Sequence, residues 1–224
     1  MRLEDKTWRV EISKVRLGRD EYRVIRPARP IAHAVLFETW HGVELTVDKA
    51  ATVDLAMAWA VAARSPRSLV YLPVRSSNPN GDHQPDTPRL DLVLAHHSLG
   101  FRPSHWKQVR ARLGRGLPHK VDFPPRALPT ITDEEHVRAK YPRFRDHLHW
   151  NVVADTLFVV GSRHAFDLSG EDVRALAEEG PANVARTPDV HCCAEIPLGA
   201  PGHWRPSRRR PYAELHVEYC ALHR

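Results

Sequence analysis

The sequence predicts an α+β fold, a mostly antiparallel sheet built from a tandem duplication of a ββαββ unit with a basic helical connector between the copies. Three observations predict it. Extended stretches of period two come in pairs separated by tight turns; a helical pattern follows each first pair; and the order recurs, with Pro73 matching Pro197 and Pro88 matching Pro211.

In the first copy, residues 31–40 (IAHAVLFETW) read as a strand, His41-Gly42 as a turn, and 43–47 (VELTV) as the returning strand. The alanine-rich KAATVDLAMAWAVAARS places Val53, Met57, Ala60 and Val61 at helical spacing and stops at Ser65-Pro66. Strands follow at LVYLPVR and LDLVLA, around the polar loop SSNPNGDHQPDTP. The second copy begins with HLHWNVV, turns at Ala154-Asp155 and returns as TLFVVGS. Ser169 then caps a helix carrying Glu171 and Asp172 in its first turn and ending at Gly180. VHCCAEIP, the loop LGAPGHWRPSRRRP and ELHVEYC complete it.

The boundaries that result are 1–30 for N-terminal strands packing on the first copy, 31–97 for repeat 1, 98–143 for a basic, proline-rich connector and 144–224 for repeat 2, all in one compact domain. Within the connector, Ser104 caps a short helix with Trp106, Val109 and Leu113 facing inward. Prolines 118, 124, 125 and 129 make the next stretch extended, and a second helix runs from Asp133 to Tyr141.

No run of apolar residues is long enough for a membrane span or a signal peptide, so the expected location is cytoplasmic, with no membrane partner. Three cysteines, two of them adjacent, make no disulfide framework. The net charge of +6 favours acidic partners, with DNA or RNA first and an acidic protein second. Basic residues gather at Lys107, Arg110, Arg112, Arg115 and Lys120 and again at Arg205, Arg208, Arg209 and Arg210, beside Trp106 and Trp204. Arginine on phosphate with an aromatic ring on the base is the usual economy of single-strand binding.

The second copy also places polar residues where the first has apolar ones. Aligned by pattern, His147 and His149 stand against Ala34 and Leu36, Glu195 against Tyr71, and His216 and Glu218 against Val93 and Ala95. Because side chains alternate along a strand, His191, Cys193 and Glu195 share a face, as do His216, Glu218 and Cys220. His147, His149, Glu195, His216 and Glu218 are therefore candidate ligands or bases for a divalent metal that activates water. For zinc the candidates are His191, Cys193, Cys220 and His223, with Cys192 on the opposite face.

His147-Leu148-His149 resembles the His-hydrophobic-His metal-binding strand of rolling-circle, relaxase-type nucleases. That resemblance implies a nucleophilic tyrosine in Tyr-x-x-x-Lys, which this chain lacks, since Tyr212 and Tyr219 fall in a loop and a strand without the lysine.

Three function classes follow. The first is a basic protein that binds a polyanion, most of all nucleic acid, through its two arginine-rich segments. The second is a metal-dependent phosphodiester hydrolase, and the third an interaction module of the immunity or antitoxin kind.

Overall fold

Trp8–Leu17 (β1) and Asp20–Pro27 (β2) form an antiparallel hairpin about Gly18, whose φ of +61° suits glycine. Ala34–Glu38 (β3) and Gly42–Val47 (β4) form the next, and Asp48 then caps Lys49–Arg64 (α1) by accepting from the Ala51 N–H at 2.7 Å. Ser68–Leu72 (β5) and Asp91–His96 (β6) pair antiparallel. Trp106–Ala111 (α2), Leu117–Val121 (β7) and Asp133–Ala139 (α3) make up the connector. His149–Val152 (β8) and Thr156–Gly161 (β9) form a hairpin, Arg163–Arg186 (α4) follows, and Cys193–Leu198 (β10) pairs antiparallel with Ala213–Tyr219 (β11). The computed structural model describes residues 2–39, 42–78, 87–124, 127–141, 143–199 and 213–221.

These strands make two sheets, one of seven in the order β7-β1-β2-β5-β6-β9-β8 and one of four in the order β10-β11-β4-β3. The expectation of a mostly antiparallel sheet is corrected here, because both sheets are mixed: β2 with β5, β6 with β9, and β11 with β4 run parallel. Periodicity shows which residues are extended and which neighbours in sequence turn back on each other. It does not show which hairpin lies beside which, and here hairpins from distant segments join side by side with their inner strands parallel.

One apolar cluster joins the inner faces of both sheets to α1 and α4. Its centre is Trp59, 1% exposed, which donates Nε1–H to the Phe166 carbonyl at 2.9 Å and meets the Phe166 ring edge to face at 5.4 Å. A second cluster lies on the other face of the larger sheet, where Trp106 and Val109 of α2 roof Leu69, Tyr71, Val93, Ala95 and Phe158. The basic helix thus closes this sheet face, where the sequence predicted a bridge between the copies.

Two further local expectations are corrected. The helix predicted from Ser169 to Gly180 is the longer α4: its cap is Ser162, which accepts from the Ala165 N–H at 3.0 Å, while Ser169 is buried inside the helix and donates to the Ala165 carbonyl at 3.0 Å. The stretch expected to be a simple extended connector contains β7, which pairs with β1 at the sheet edge, a position that tolerates Pro118. Among the described residues, no helix is long and apolar enough to cross a membrane.

The packing of β1 on α1 leaves a testable electrostatic cost. Asp54 accepts from Trp8 Nε1 at 2.7 Å, but burial, reinforced by Asp48, raises its pKa to about 6. The folded state therefore holds this proton more tightly than the unfolded chain does, where an aspartate titrates near ~3.9. The stability linked to it is present below pH ~4 and lost as the pH rises through about 6, a difference of roughly 2–3 kcal/mol. Asp54→Asn keeps the acceptor without the charge. It is expected to raise the urea midpoint above pH 6 and leave it unchanged near pH 4; equal shifts at both pH values would contradict the account.

Candidate metal centre

The two sheets contain ladders with one pairing scheme. In the larger, β5-β6-β9-β8 pair antiparallel, parallel, antiparallel; in the smaller, β10-β11-β4-β3 do the same. Positions can therefore be compared by register. On the face turned from α1 and α4, Leu69 opposite Ala95, Tyr71 opposite Val93, and Val93 beside Phe158 occupy the larger sheet. The corresponding pairs in the smaller sheet are Cys193 opposite Glu218, Glu195 opposite His216, and His216 beside Glu44. An apolar face roofed by α2 in one sheet is a face of thiol, imidazole and carboxylate in the other.

The alternation of β10 and β11 produces this face. Ala194, Ile196, Leu198, Ala213, Leu215 and Val217 are buried toward α4, so the residues between them must point away. His191 stands just before β10, and its Nε2 lies 3.3 Å from Nε2 of His216. Its other nitrogen, Nδ1, lies 3.5 Å from Glu218 Oε1. Cys193 completes a group whose ligand atoms all lie within 4.8 Å of one another.

Metal geometry fits these distances. A tetrahedral ion with metal–nitrogen bonds of about 2.0–2.1 Å holds two nitrogens about 3.3–3.4 Å apart. The imidazole pair already has that separation. A metal–sulfur bond of about 2.3 Å would place the sulfur about 3.6 Å from each nitrogen, so Sγ need move only on the order of 1 Å. Glu218 Oε1 lies 3.5 Å from the far nitrogen of His191, beyond a normal hydrogen bond, on the side from which a carboxylate would orient a ligand ring.

Burial and neighbouring carboxylates disfavour negative charge on this face. Burial pushes the Cys193 thiol up, and Glu195, Cys192, Glu218 and Glu214 push it further. Glu214 is itself raised, first by burial and then by Glu195, against a pull from His216. Glu44 and Glu214 were not singled out from the sequence. The signal was there: Glu44 sits between buried Val43 and Leu45, and Glu214 has the parity of His216 and Glu218.

The remaining sequence candidates lie elsewhere. His149 is on β8, at the edge of the larger sheet, and His147 just before it contacts the Phe144 carbonyl through Nε2 at 3.0 Å. Neither joins the group on the smaller sheet. By ladder register Leu148 corresponds to Ala34, one residue from the pattern alignment, and a slip of one moves every side chain to the opposite face. The adjacent Cys192 packs instead against the main apolar cluster. Cys220 follows β11 and donates its N–H to the Val47 carbonyl at 2.9 Å. His223 lies outside the described residues.

The basic connector is largely committed to structure. Trp106, 0% exposed, donates Nε1–H to Thr156 Oγ1 at 2.9 Å, so its ring has no face free for a base, which corrects its assignment as a stacking residue. Arg110 contacts Asp91 Oδ2 at 3.2 Å and Thr156 Oγ1 at 3.3 Å, and Arg112 donates to the Arg16 carbonyl at 2.8 Å. Lys107, Arg115 and Lys120 are exposed. Trp204, Arg205, Arg208, Arg209 and Arg210 lie outside the described residues. Comparison with protein-family models, with curated proteins and with solved structures gives no match.

Proposed function

We propose that the outer face of the four-stranded sheet is a divalent-metal centre and that the chain is a metal-dependent hydrolase of phosphodiesters. The observation that carries this reading is the convergence of His191, Cys193 and His216, with ligand atoms within 4.8 Å of one another and the two imidazole nitrogens 3.3 Å apart. Two imidazoles and a thiolate suit zinc and leave a fourth position open to water.

The common ladder scheme also supports a tandem duplication of a ββαββ unit, about residues 31–97 and 144–223. On that reading each sheet takes two strands from each copy, and one sheet filled its outer face with an aromatic and aliphatic cluster while the other kept polar groups at the same register positions.

A bound metal supplies the lowered pKa of its water and the polarisation of a phosphoryl oxygen. Glu218 holds His191, a positioning role. Glu195, exposed and directly opposite His216, is placed to take the proton of the attacking water and return it to the oxygen that leaves phosphorus. With Glu44, Glu195, Glu214 and Glu218 on one face, a phosphodiester is repelled until a cation is bound, so activity should depend wholly on metal. The substrate class rests on the net charge of +6, which favours anionic substrates overall.

The test is hydrolysis of bis(p-nitrophenyl) phosphate and of labelled DNA and RNA, with added Zn²⁺ or Mn²⁺ and after chelation. Cleavage that requires metal and falls at least a hundredfold in Glu195→Gln supports the proposal. Stoichiometric metal without cleavage of any of these probes would leave a metal centre and remove the hydrolase.

A further inference from the structure

The edge of the smaller sheet carries a second site, formed by backbone as much as by side chains. Among the described residues, β10 is the outermost strand of its sheet. The Tyr219 N–H donates to the Cys192 carbonyl at 2.9 Å, which fixes the parity of the strand. Even-numbered residues turn their backbone groups toward β11, and Cys193, Glu195 and Pro197 turn theirs outward. Pro197 has no N–H to lose on that side, as a residue at a sheet edge requires. Among the described residues, the outward edge therefore offers the N–H and carbonyl groups of Cys193 and Glu195, up to Gly199, whose outward N–H donates to the Leu148 carbonyl at 2.8 Å.

Beside this edge runs a groove of about 460 Å³, walled on the other side by one stripe of α4: Asp172, Ala175, Leu176, Glu179, Gly180 and Asn183. Small residues in the stripe leave the space. Gly180 backs onto the thiol of Cys192, where an added Cβ would come within 3.3 Å of Sγ. The rim is acidic, with Asp172 and Glu179 exposed on the helix and Glu195 exposed on the strand.

We propose that this groove binds an extended, basic peptide segment of a partner protein, which adds a fifth strand to the smaller sheet beside β10. Main-chain hydrogen bonds to the outward groups supply affinity, and lysine or arginine at alternate positions, all on the helix side of the added strand, meets Asp172 and Glu179. The sign of the charge is the specific feature. A chain with a net charge of +6 repels a basic peptide overall, so its capture must come from a local acidic surface.

The probe is a fluorescein-labelled heptapeptide with lysine alternating with valine and threonine, followed by anisotropy at low ionic strength. Its glutamate counterpart and a version N-methylated at alternate backbone nitrogens serve as comparisons. Saturable binding is expected, weakened tenfold or more by Asp172→Lys with Glu179→Lys and by N-methylation, and unchanged by chelators, since neither α4 residue is assigned to the metal. Ala175→Trp, which fills the groove from an exposed helix position, should have the same effect. No saturable binding, binding indifferent to these changes, or equal binding of the glutamate peptide would overturn the proposal.

Discussion

His216→Ala is expected to lower zinc affinity at least a hundredfold while leaving the urea unfolding midpoint of the metal-free protein within about 0.5 kcal/mol of its original stability. The two halves of this expectation have separate causes. His216 is half-buried on the outer face of β11, and its neighbours along the strand, Leu215 and Val217, supply the packing with 0% exposure each. Removing the imidazole therefore leaves no core cavity. It does remove one of two nitrogens already at the separation a tetrahedral ion imposes. Cys193→Ser should weaken zinc strongly as well, because an alcohol is a poor ligand for a borderline-soft ion, while binding of a hard cation such as Mg²⁺ should be less sensitive. Glu218→Gln is the graded case: the ring of His191 loses its charged partner at Nδ1 but keeps Nε2, so a tenfold weakening is expected. Isothermal titration with zinc and metal analysis of the protein after dialysis measure all three. Zinc bound as tightly by His216→Ala as by the parent would place the metal elsewhere and remove the centre described here.

The sequence makes the face legible but not its position. Alternation alone puts His191, Cys193 and Glu195 together, and His216 with Glu218, since Ala194, Ile196, Leu215 and Val217 must go inward. What alternation cannot supply is the cross-strand register, and the register is what sets Cys193 opposite Glu218 and Glu195 opposite His216. His147 and His149 show the cost of that gap. Their local pattern is as suggestive as that of β10, yet β8 pairs with β9 in the other sheet, a choice made by long-range packing. The start of α4 failed for a different reason. Two serines are plausible caps, and acidic residues after Ser169 favoured the wrong one, whereas Phe166, buried against Trp59, draws the earlier turn into the helix. Trp106 carries two expectations, an inward-facing anchor of its short helix and a stacking residue beside the basic side chains; its ring is buried over Tyr71 and Phe158, which fits the first and leaves no room for the second.

Asp91→Ala is expected to cost about 3–5 kcal/mol, because it breaks a buried pair and leaves one member uncompensated. Asp91 is 3% exposed. It accepts from the Tyr71 hydroxyl at 3.0 Å, from the Arg75 backbone N–H at 3.0 Å and from Arg110 Nη1 at 3.2 Å. Burial, and next the charge of Asp91, hold the Tyr71 phenol well above its usual range, so the hydroxyl stays a donor at any ordinary pH. Asp91→Asn retains an acceptor and should cost less, about 1–2 kcal/mol, and a double substitution of Asp91 and Arg110 by alanine should cost less than the sum of the singles. Urea unfolding of the set measures this; a loss below about 1 kcal/mol for Asp91→Ala would show that Arg110 finds Asp155, 3.9 Å from its Nη2, an adequate substitute. The same ladder position in the smaller sheet is Glu214, which register sets beside Gly42 as it sets Asp91 beside Thr156. There the prediction reverses. Glu214 is half-exposed and raised by burial and by Glu195, so Glu214→Gln should leave stability within about 0.5 kcal/mol or raise it. A carboxylate that stabilises one sheet and burdens the other at the same register position is what separates the Asp91 network from the face proposed to hold a cation.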